Sequence, residues 1–319
     1  MTNTLRLALP QLAPIWLSRD DGLAQVIRVI ETASAENADL IVFSESFVPG
    51  YPFWLEGTGG ANFNNDKQKA IFAHYSHQAV TIEDGHLDAV CAALKTANMA
   101  CYLGVIERPR NRTGHSLYCS YVYIDKTSTV RSIHRKLQPT YEERLVWSPG
   151  DGHGLVTHRL GAFTVGGLNC WENWMPLTRA ALYGQGEDLH VMGWPGSDRN
   201  TRDLTPVLAK EGRSYCVSVS AIMRPSDVRD DTPFADDIRA SLSEMPANGG
   251  SCVAAPDGSW VLEPLIGETG IRYCELDPAF VRRERQNFDP AGHYSRPDIT
   301  QLTVDRRRQT TTVFMDQDL

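Results

Sequence analysis

Apolar residues along this chain fall into two periods that take turns. Residues 5–9 form a short apolar run of strand length, and residues 21–35 then place Leu23, Val26, Ile27, Ile30 and Ala33 at helical spacing. The pairing recurs. Residues 40–43 read as a strand, Leu87, Val90, Cys91 and Leu94 as one helical face, and residues 101–106 as the next strand. His74 and His77, three apart, fall on another predicted helix. Residues 117–124 and 130–133 flank the polar run Asp125-Lys126-Thr127-Ser128-Thr129 and predict a hairpin. Residues 162–169 predict a strand, and 176–183 a helix with proline in its first turn.

The second half continues in the same way. Strands are expected over 189–192, 216–222, 251–255 and 271–276, and a helix over 202–213. Pro256-Asp257-Gly258-Ser259 is a turn between two strands. Residues 224–246 are polar, acidic and weakly periodic, which predicts a long surface loop with some helix. No repeat and no Gly/Ser/Pro-rich linker interrupts the pattern, so we expect one α/β domain over 1–298, mixing crossovers with hairpins, and a tail over 299–319.

Composition narrows the function classes. Of 319 residues, 42% are hydrophobic and 22% charged, enough apolar side chain for a sizeable core. The formal net charge of −8 disfavours a nucleic-acid partner, because such binders present basic patches. Seven cysteines, an odd number with no C-x-x-C pair, fit reduced thiols in a cytoplasmic protein better than a disulfide framework or zinc site. No apolar run reaches membrane-spanning length, and residues 1–10 lack the pattern of a secretory signal. The histidines come without an accompanying ligand set, so no metal is expected. Gly57-Thr58-Gly59-Gly60 lacks the Lys-Ser/Thr that completes a phosphate loop.

Three segments carry chemistry. In Gly167-Leu168-Asn169-Cys170-Trp171-Glu172-Asn173, a strand runs out on a cysteine and a helix starts about one turn later. The free N–H groups near a helix start favour negative charge, hence the reactive thiolate. The bland alternative is one more small buried thiol. In Phe43-Ser44-Glu45-Ser46-Phe47-Val48-Pro49-Gly50-Tyr51-Pro52, a carboxylate follows an apolar strand, where desolvation raises its pKa toward general-base range. In Arg135-Lys136-Leu137-Gln138-Pro139-Thr140-Tyr141-Glu142-Glu143-Arg144, a lysine able to stabilise an oxyanion precedes a carboxylate by seven residues. Taken singly, strand-end Glu and Lys are ordinary solvated edge residues.

Together, and with Gly292-His293-Tyr294-Ser295-Arg296-Pro297-Asp298 near the C-terminus, these segments resemble the nitrilase branch of the carbon–nitrogen hydrolase superfamily. The resemblance runs over residues 5–297. It implies an αββα four-layer sandwich and a Glu-Lys-Cys triad: Glu45 as base, Lys136 as oxyanion stabiliser, Cys170 as nucleophile. Glu143 matches a second acidic residue beside the lysine, and the Trp171 N–H is a candidate oxyanion donor. Ser44 departs from the proline usual before the glutamate. The resemblance implies a small-molecule nitrile as substrate, no cofactor, no membrane or nucleic-acid partner, and a dimer-based homo-oligomer able to extend into helical filaments.

Tyr51, Trp54, Trp171 and Trp194 are candidate substrate-binding residues, since tryptophans crowd the motif segments; packing of the core beside a site explains such aromatics equally well. His293 is expected to be structural, because Glu45 already supplies a base. Three rival functions remain at this point: an amidase using the same triad, a cyanide-degrading enzyme, and a catalytically silent assembly protein on the same fold. The Cys-Trp-Glu and Pro-Thr-x-x-Glu-Arg segments favour the nitrilase reading by resemblance.

Overall fold

The computed structural model describes residues 4–312 and 315. The first three residues and the end of the 299–319 tail, on which the leader and tail expectations partly fall, lie outside them.

Thirteen strands are present among the described residues: β1 Leu5–Gln11, β2 Leu40–Val42, β3 Ala100–Glu107, β4 Tyr118–Ile124, β5 Val130–Arg135, β6 His158–Leu160, β7 Phe163–Asn169, β8 Leu189–Gly193, β9 Tyr215–Val219, β10 Ile222–Met223, β11 Ala247–Ala254, β12 Trp260–Ile266 and β13 Gly270–Leu276. One sheet has the order β13-β1-β2-β3-β4-β5, and the other β10-β11-β9-β8-β7-β6 with β12 on β11. Parallel pairs run through β1-β2-β3 and β7-β8-β9, and antiparallel strands complete both sheets.

The period-2 alternation of each strand builds the layers. Leu7, Leu9, Leu40, Val42, Tyr121 and Tyr123 of the first sheet pack face to face with Phe163, Val165, Leu189, Val191 and Val217 of the second. The residues between them point the other way. Ala8, Ile41, Val122 and Ile124 pack under Val26, Ile30, Val90 and Leu94 of the helices Arg19–Ala35 and Asp88–Ala97. On the far side, Met192, Cys216 and Ala254 meet Leu208 and Ala209 of the helix Leu204–Gly212. Strands alternate across the sheet plane, so each one supplies two layers. The result is the αββα sandwich.

Two elements differ from expectation. The strand expected over 216–222 is split into β9 and β10, because Ile222 leaves the path of β9 to pair with Asn248. The helix expected over 202–213 is two pieces, Asp198–Thr201 and Leu204–Gly212. Restarting at Leu204 places Pro206 in the first turn, where its missing N–H costs no hydrogen bond. The long 224–246 segment contains the helix Ala235–Ser241.

Candidate active site

The site is built where strands of both sheets run out. After β2, Phe43 still donates its N–H to Tyr102 and Tyr121 donates its hydroxyl to the Phe43 carbonyl at 2.8 Å. The chain then bulges away from β3 and returns at Val48, which bridges Val105. The bulge fits only because residue 104 is glycine: a Cβ there would lie 2.1 Å from the Ser44 carbonyl oxygen. Glu45 thereby projects into the interior, 2% exposed. Ser44, the departure from the usual motif, is buried beside it.

Lys136 follows β5 directly and is 1% exposed. Its backbone is pinned by an N–H to the Cys119 carbonyl and by the Gly150 N–H on its own carbonyl, both 2.8 Å. Its ammonium lies 2.8 Å from Glu45 Oε1 and 2.8 Å from Glu143 Oε2. The Trp147 ring lies 5.5 Å below it. Glu143 is fixed in turn by the Thr140 N–H at 2.6 Å and the Tyr51 hydroxyl at 3.0 Å. Glu45 accepts the weak Cys119 S–H at 3.5 Å on the oxygen that meets Lys136, and its Oε2 is buried with no partner among the described residues.

Cys170 directly follows β7 and opens a short 3-10 turn, Cys170–Trp174, with the helix Pro176–Tyr183 following. Its φ of 47° is left-handed, a conformation that costs a non-glycine residue about 1–3 kcal/mol and marks a sharp elbow. Ligand atoms of Glu45, Glu143 and Cys170 all lie within 4.8 Å of one another. Such an anionic set can hold a cation, and the Lys136 ammonium already stands among its carboxylates.

Glu172 ties the two sheets together at this edge. Its carboxylate accepts the N–H of Asn169 at 2.9 Å on the β7 side and that of Leu137 at 2.7 Å on the β5 side, and it faces His134 Nε2 at 3.0 Å. One buried side chain thus fixes the segment carrying Cys170 against the segment carrying Lys136.

The electrostatics follow from burial and proximity. Burial raises the Glu45 carboxyl to about 7, against the pull of Lys136 and with help from the Glu143 charge. Burial also pushes the Cys170 thiol up, while Lys136 and the Trp171 N–H draw it down. Burial alone acts to strip the proton from Lys136, but Cys170, Glu45 and Glu143 together hold its pKa well above the ordinary lysine value. The cluster therefore keeps a permanent cation and a carboxyl poised to exchange a proton near neutrality.

The structure brings Glu45, Lys136, Glu143, Cys170 and Tyr51 together. Tyr51 also borders a cleft of about 650 Å³ whose walls include Phe53, Glu142, Pro195, Arg199 and Leu242. Of the candidate tryptophans, Trp54 packs on Trp16 and Tyr75 in the core, Trp194 donates to Ser218 and shares an apolar cluster with Cys170, and Trp171 is 48% exposed. A hollow of about 610 Å³ between the helix Pro176–Tyr183 and the 290–306 segment holds none of these groups. Sequence reading did not single out Cys119 or Glu172. Cys119 carries no local signal; Glu172 stands three residues after Asn169, the spacing of a capping box.

Comparison with known proteins agrees with this geometry. The family described as carbon-nitrogen hydrolase matches residues 6–286. An aliphatic nitrilase of Rhodococcus rhodochrous is 30% identical, covering 99% of this chain and 83% of its own length. A nitrilase of Pseudomonas syringae pv. syringae (strain B728a) is 32% identical over 95% of this chain and 90% of its own. Among solved structures, a carbon–nitrogen hydrolase from Helicobacter pylori G27 superimposes with a TM-score of 0.69 at 16% identity, covering 92% of this chain and 96% of that one. The chain belongs to the carbon–nitrogen hydrolase family.

Proposed function

We propose that this enzyme hydrolyses a small organic nitrile to the carboxylic acid and ammonia, with Cys170 as nucleophile, Glu45 as proton shuttle, Lys136 as charge stabiliser and Glu143 as the group that holds Lys136. The carrying observation is the Glu45 carboxylate: Oε1 is held 2.8 Å from Lys136, Oε2 is buried without a partner among the described residues, and a carboxylate oxygen lies within 4.8 Å of the Cys170 sulfur.

In this reading Glu45 takes the thiol proton while the sulfur of Cys170 bonds to the nitrile carbon. The C≡N bond becomes C=N, and its nitrogen takes the proton back from Glu45 to give a thioimidate. Lys136 and the Trp171 N–H stabilise the charge developing in that step. Water, deprotonated by Glu45, adds to the carbon; the nitrogen gains protons and leaves as ammonia, and a thioester remains. A second water, again deprotonated by Glu45, releases the acid and returns the proton to Cys170. The mixed apolar and polar walls of the cleft at Tyr51 suit a small organic substituent.

The same reading makes the protein a homo-oligomer built on a dimer. Trp171, Trp174, Met175 and Leu177 stand exposed around the Cys170 turn, an apolar face that a second copy would cover. All seven cysteines are free, which fits a reducing compartment such as the cytoplasm. No helix among the described residues is long and apolar enough to cross a membrane.

Ammonia release from aryl, arylaliphatic and alkyl nitriles, from cyanide and from the matching amides tests the function. Nitriles are expected to have the higher kcat/KM, with acid as the main product. Higher kcat/KM for amides across the panel would replace the proposal with amide hydrolysis.

A further inference from the structure

A chain of buried polar groups starts at the backbone carbonyl of Cys170. The Asn173 side-chain N–H donates to the Cys170 carbonyl at 2.7 Å. Asn173 Oδ1 faces His190 Nε2 at 2.8 Å, and His190 Nδ1 faces Glu187 Oε1 at 2.8 Å. Each of the three residues is at most 1% exposed. Arg179, itself paired with Glu211, donates to the Asn173 carbonyl at 2.7 Å and holds that residue from outside.

The donor inventory orients every link. The Cys170 carbonyl only accepts, so Asn173 must present its amide nitrogen there and its oxygen to His190. His190 must then donate from Nε2, and one further proton is shared between its Nδ1 and Glu187. Room for Glu187 is reserved on β7: a Cβ at Gly166 would lie 2.0 Å from Glu187 Oε1. Each link is hydrogen-bonded and buried, which rigidifies what the chain holds, while Glu187 Oε2 at its far end has no partner among the described residues.

What it holds is one peptide plane. The Cys170 carbonyl and the Trp171 N–H belong to the same planar trans peptide and point to opposite sides of it. The carbonyl is gripped by Asn173, and the N–H on the same plane acts on the Cys170 thiol, drawing its pKa down. We propose that Asn173, His190 and Glu187 are a positioning relay that locks the Cys170–Trp171 peptide in the left-handed elbow, so that the Trp171 N–H stays aimed at the reacting sulfur and the charge formed beside it. The relay rests on Cys170 being the nucleophile. It touches no substrate; it acts through the peptide.

The test uses the whole enzyme and two readouts: steady-state kinetics on a nitrile, and the pH dependence of Cys170 alkylation by iodoacetamide, located by peptide mass spectrometry. Lys136 from the end of β5, Glu45 from the bulge after β2, Glu143 from the turn Tyr141–Leu145 and Tyr51 face the sulfur and are unchanged in every variant. Asn173→Leu keeps the bulk and adds no charge. It is expected to lower kcat by about 10²–10³-fold, the effect of removing an oxyanion donor, with KM little changed. The alkylation midpoint should move to higher pH. Glu187→Ala is expected to act in the same direction, although loss of an anion by itself would move the midpoint down. Glu187→Gln, which still bonds His190, is expected to restore most of the activity.

Alkylation also counts intact sites, so kcat is taken per alkylatable Cys170. Wild-type kcat per site and an unmoved midpoint in both Asn173→Leu and Glu187→Ala would overturn the relay. Should Asn173→Leu fail to fold, the Glu187 pair decides alone. Turnover that persists after wild-type Cys170 is alkylated would instead overturn the nucleophile assignment, an outcome distinct from failure of the relay.

Discussion

The Lys136 ammonium and Glu45 Oε1 stand 2.8 Å apart with both side chains fully buried. A lone buried ammonium would be strongly penalised, and so would a lone buried carboxylate. Each makes the other tolerable, and Glu143 supplies a second anion on the same lysine. Three charges sum to an anion unless one carboxyl takes a proton. Among the described residues Glu143 is met by three donors, whereas Glu45 meets only Lys136 and a thiol. In the proposed mechanism Glu45 is therefore the group through which protons enter and leave.

This arrangement sets the acid limb of the activity profile. The Glu45 carboxyl is raised to about 7, so below that pH it is protonated and cannot accept the thiol proton. We expect kcat/KM to fall on acidification with an apparent midpoint near 7, belonging to the coupled cluster. Glu45→Gln should lose at least the roughly 10²–10⁴-fold typical of a missing base, and the limb should disappear from the residual activity. A pH–kcat/KM series on both proteins checks this; an unchanged limb in Glu45→Gln would assign it to another group.

Nucleophile identity is read from the thiols. Cys170→Ala is expected to abolish turnover, while Cys91→Ala and Cys216→Ala, whose thiols pack in the helix-facing layers, retain most of it. Intact-mass spectrometry during turnover should find a covalent adduct on Cys170. Full activity in Cys170→Ala would end the proposed mechanism.

Stability should depend on the Glu172 staple. Burial opposes its ionisation, but His134 and the N–H groups of Leu137 and Asn169 outweigh it and hold its pKa below the ordinary 4.5. A carboxyl depressed in the folded state contributes stability that is present above 4.5 and is lost as pH falls through the folded value. Removing one partner of a buried pair typically costs about 3–5 kcal/mol. Glu172→Ala is expected to lose that order of stability at neutral pH and to show a flatter acid dependence of urea unfolding. Wild-type unfolding midpoints in Glu172→Ala over the roughly four pH units from just below the carboxylate value to neutrality would contradict the role.

Assembly is testable by light scattering. The 35.5 kDa chain is expected to run as a dimer or a multiple of one, and Trp174→Glu with Leu177→Glu should shift it toward monomer. A monomer at all working concentrations in the wild-type protein would count against the oligomer.

Much of this was written locally. Alternation at Leu7-Ala8-Leu9 or Tyr121-Val122-Tyr123 already determined that each strand faces two layers, because side chains along a strand point alternately up and down. Glu45, Lys136 and Cys170 stood out because each follows an apolar strand, and strand ends are where a rigid backbone releases a side chain. The motif order then identified the family. What the sequence could not determine is any relation between residues far apart along it. Trp54 and Trp194 are both fully buried, Trp54 against Trp16 and Tyr75 and Trp194 in the cluster of Cys170, since the side of a chain that faces a neighbour depends on how the layers meet. Cys119 reaches Glu45 across 74 positions, and Glu172 joins the β5 and β7 segments, only because those strands end at one edge of the sandwich. The raised carboxyl of Glu45 likewise arises from burial beside Lys136, 91 positions on, and desolvation is a property of the assembled interior that no local pattern carries.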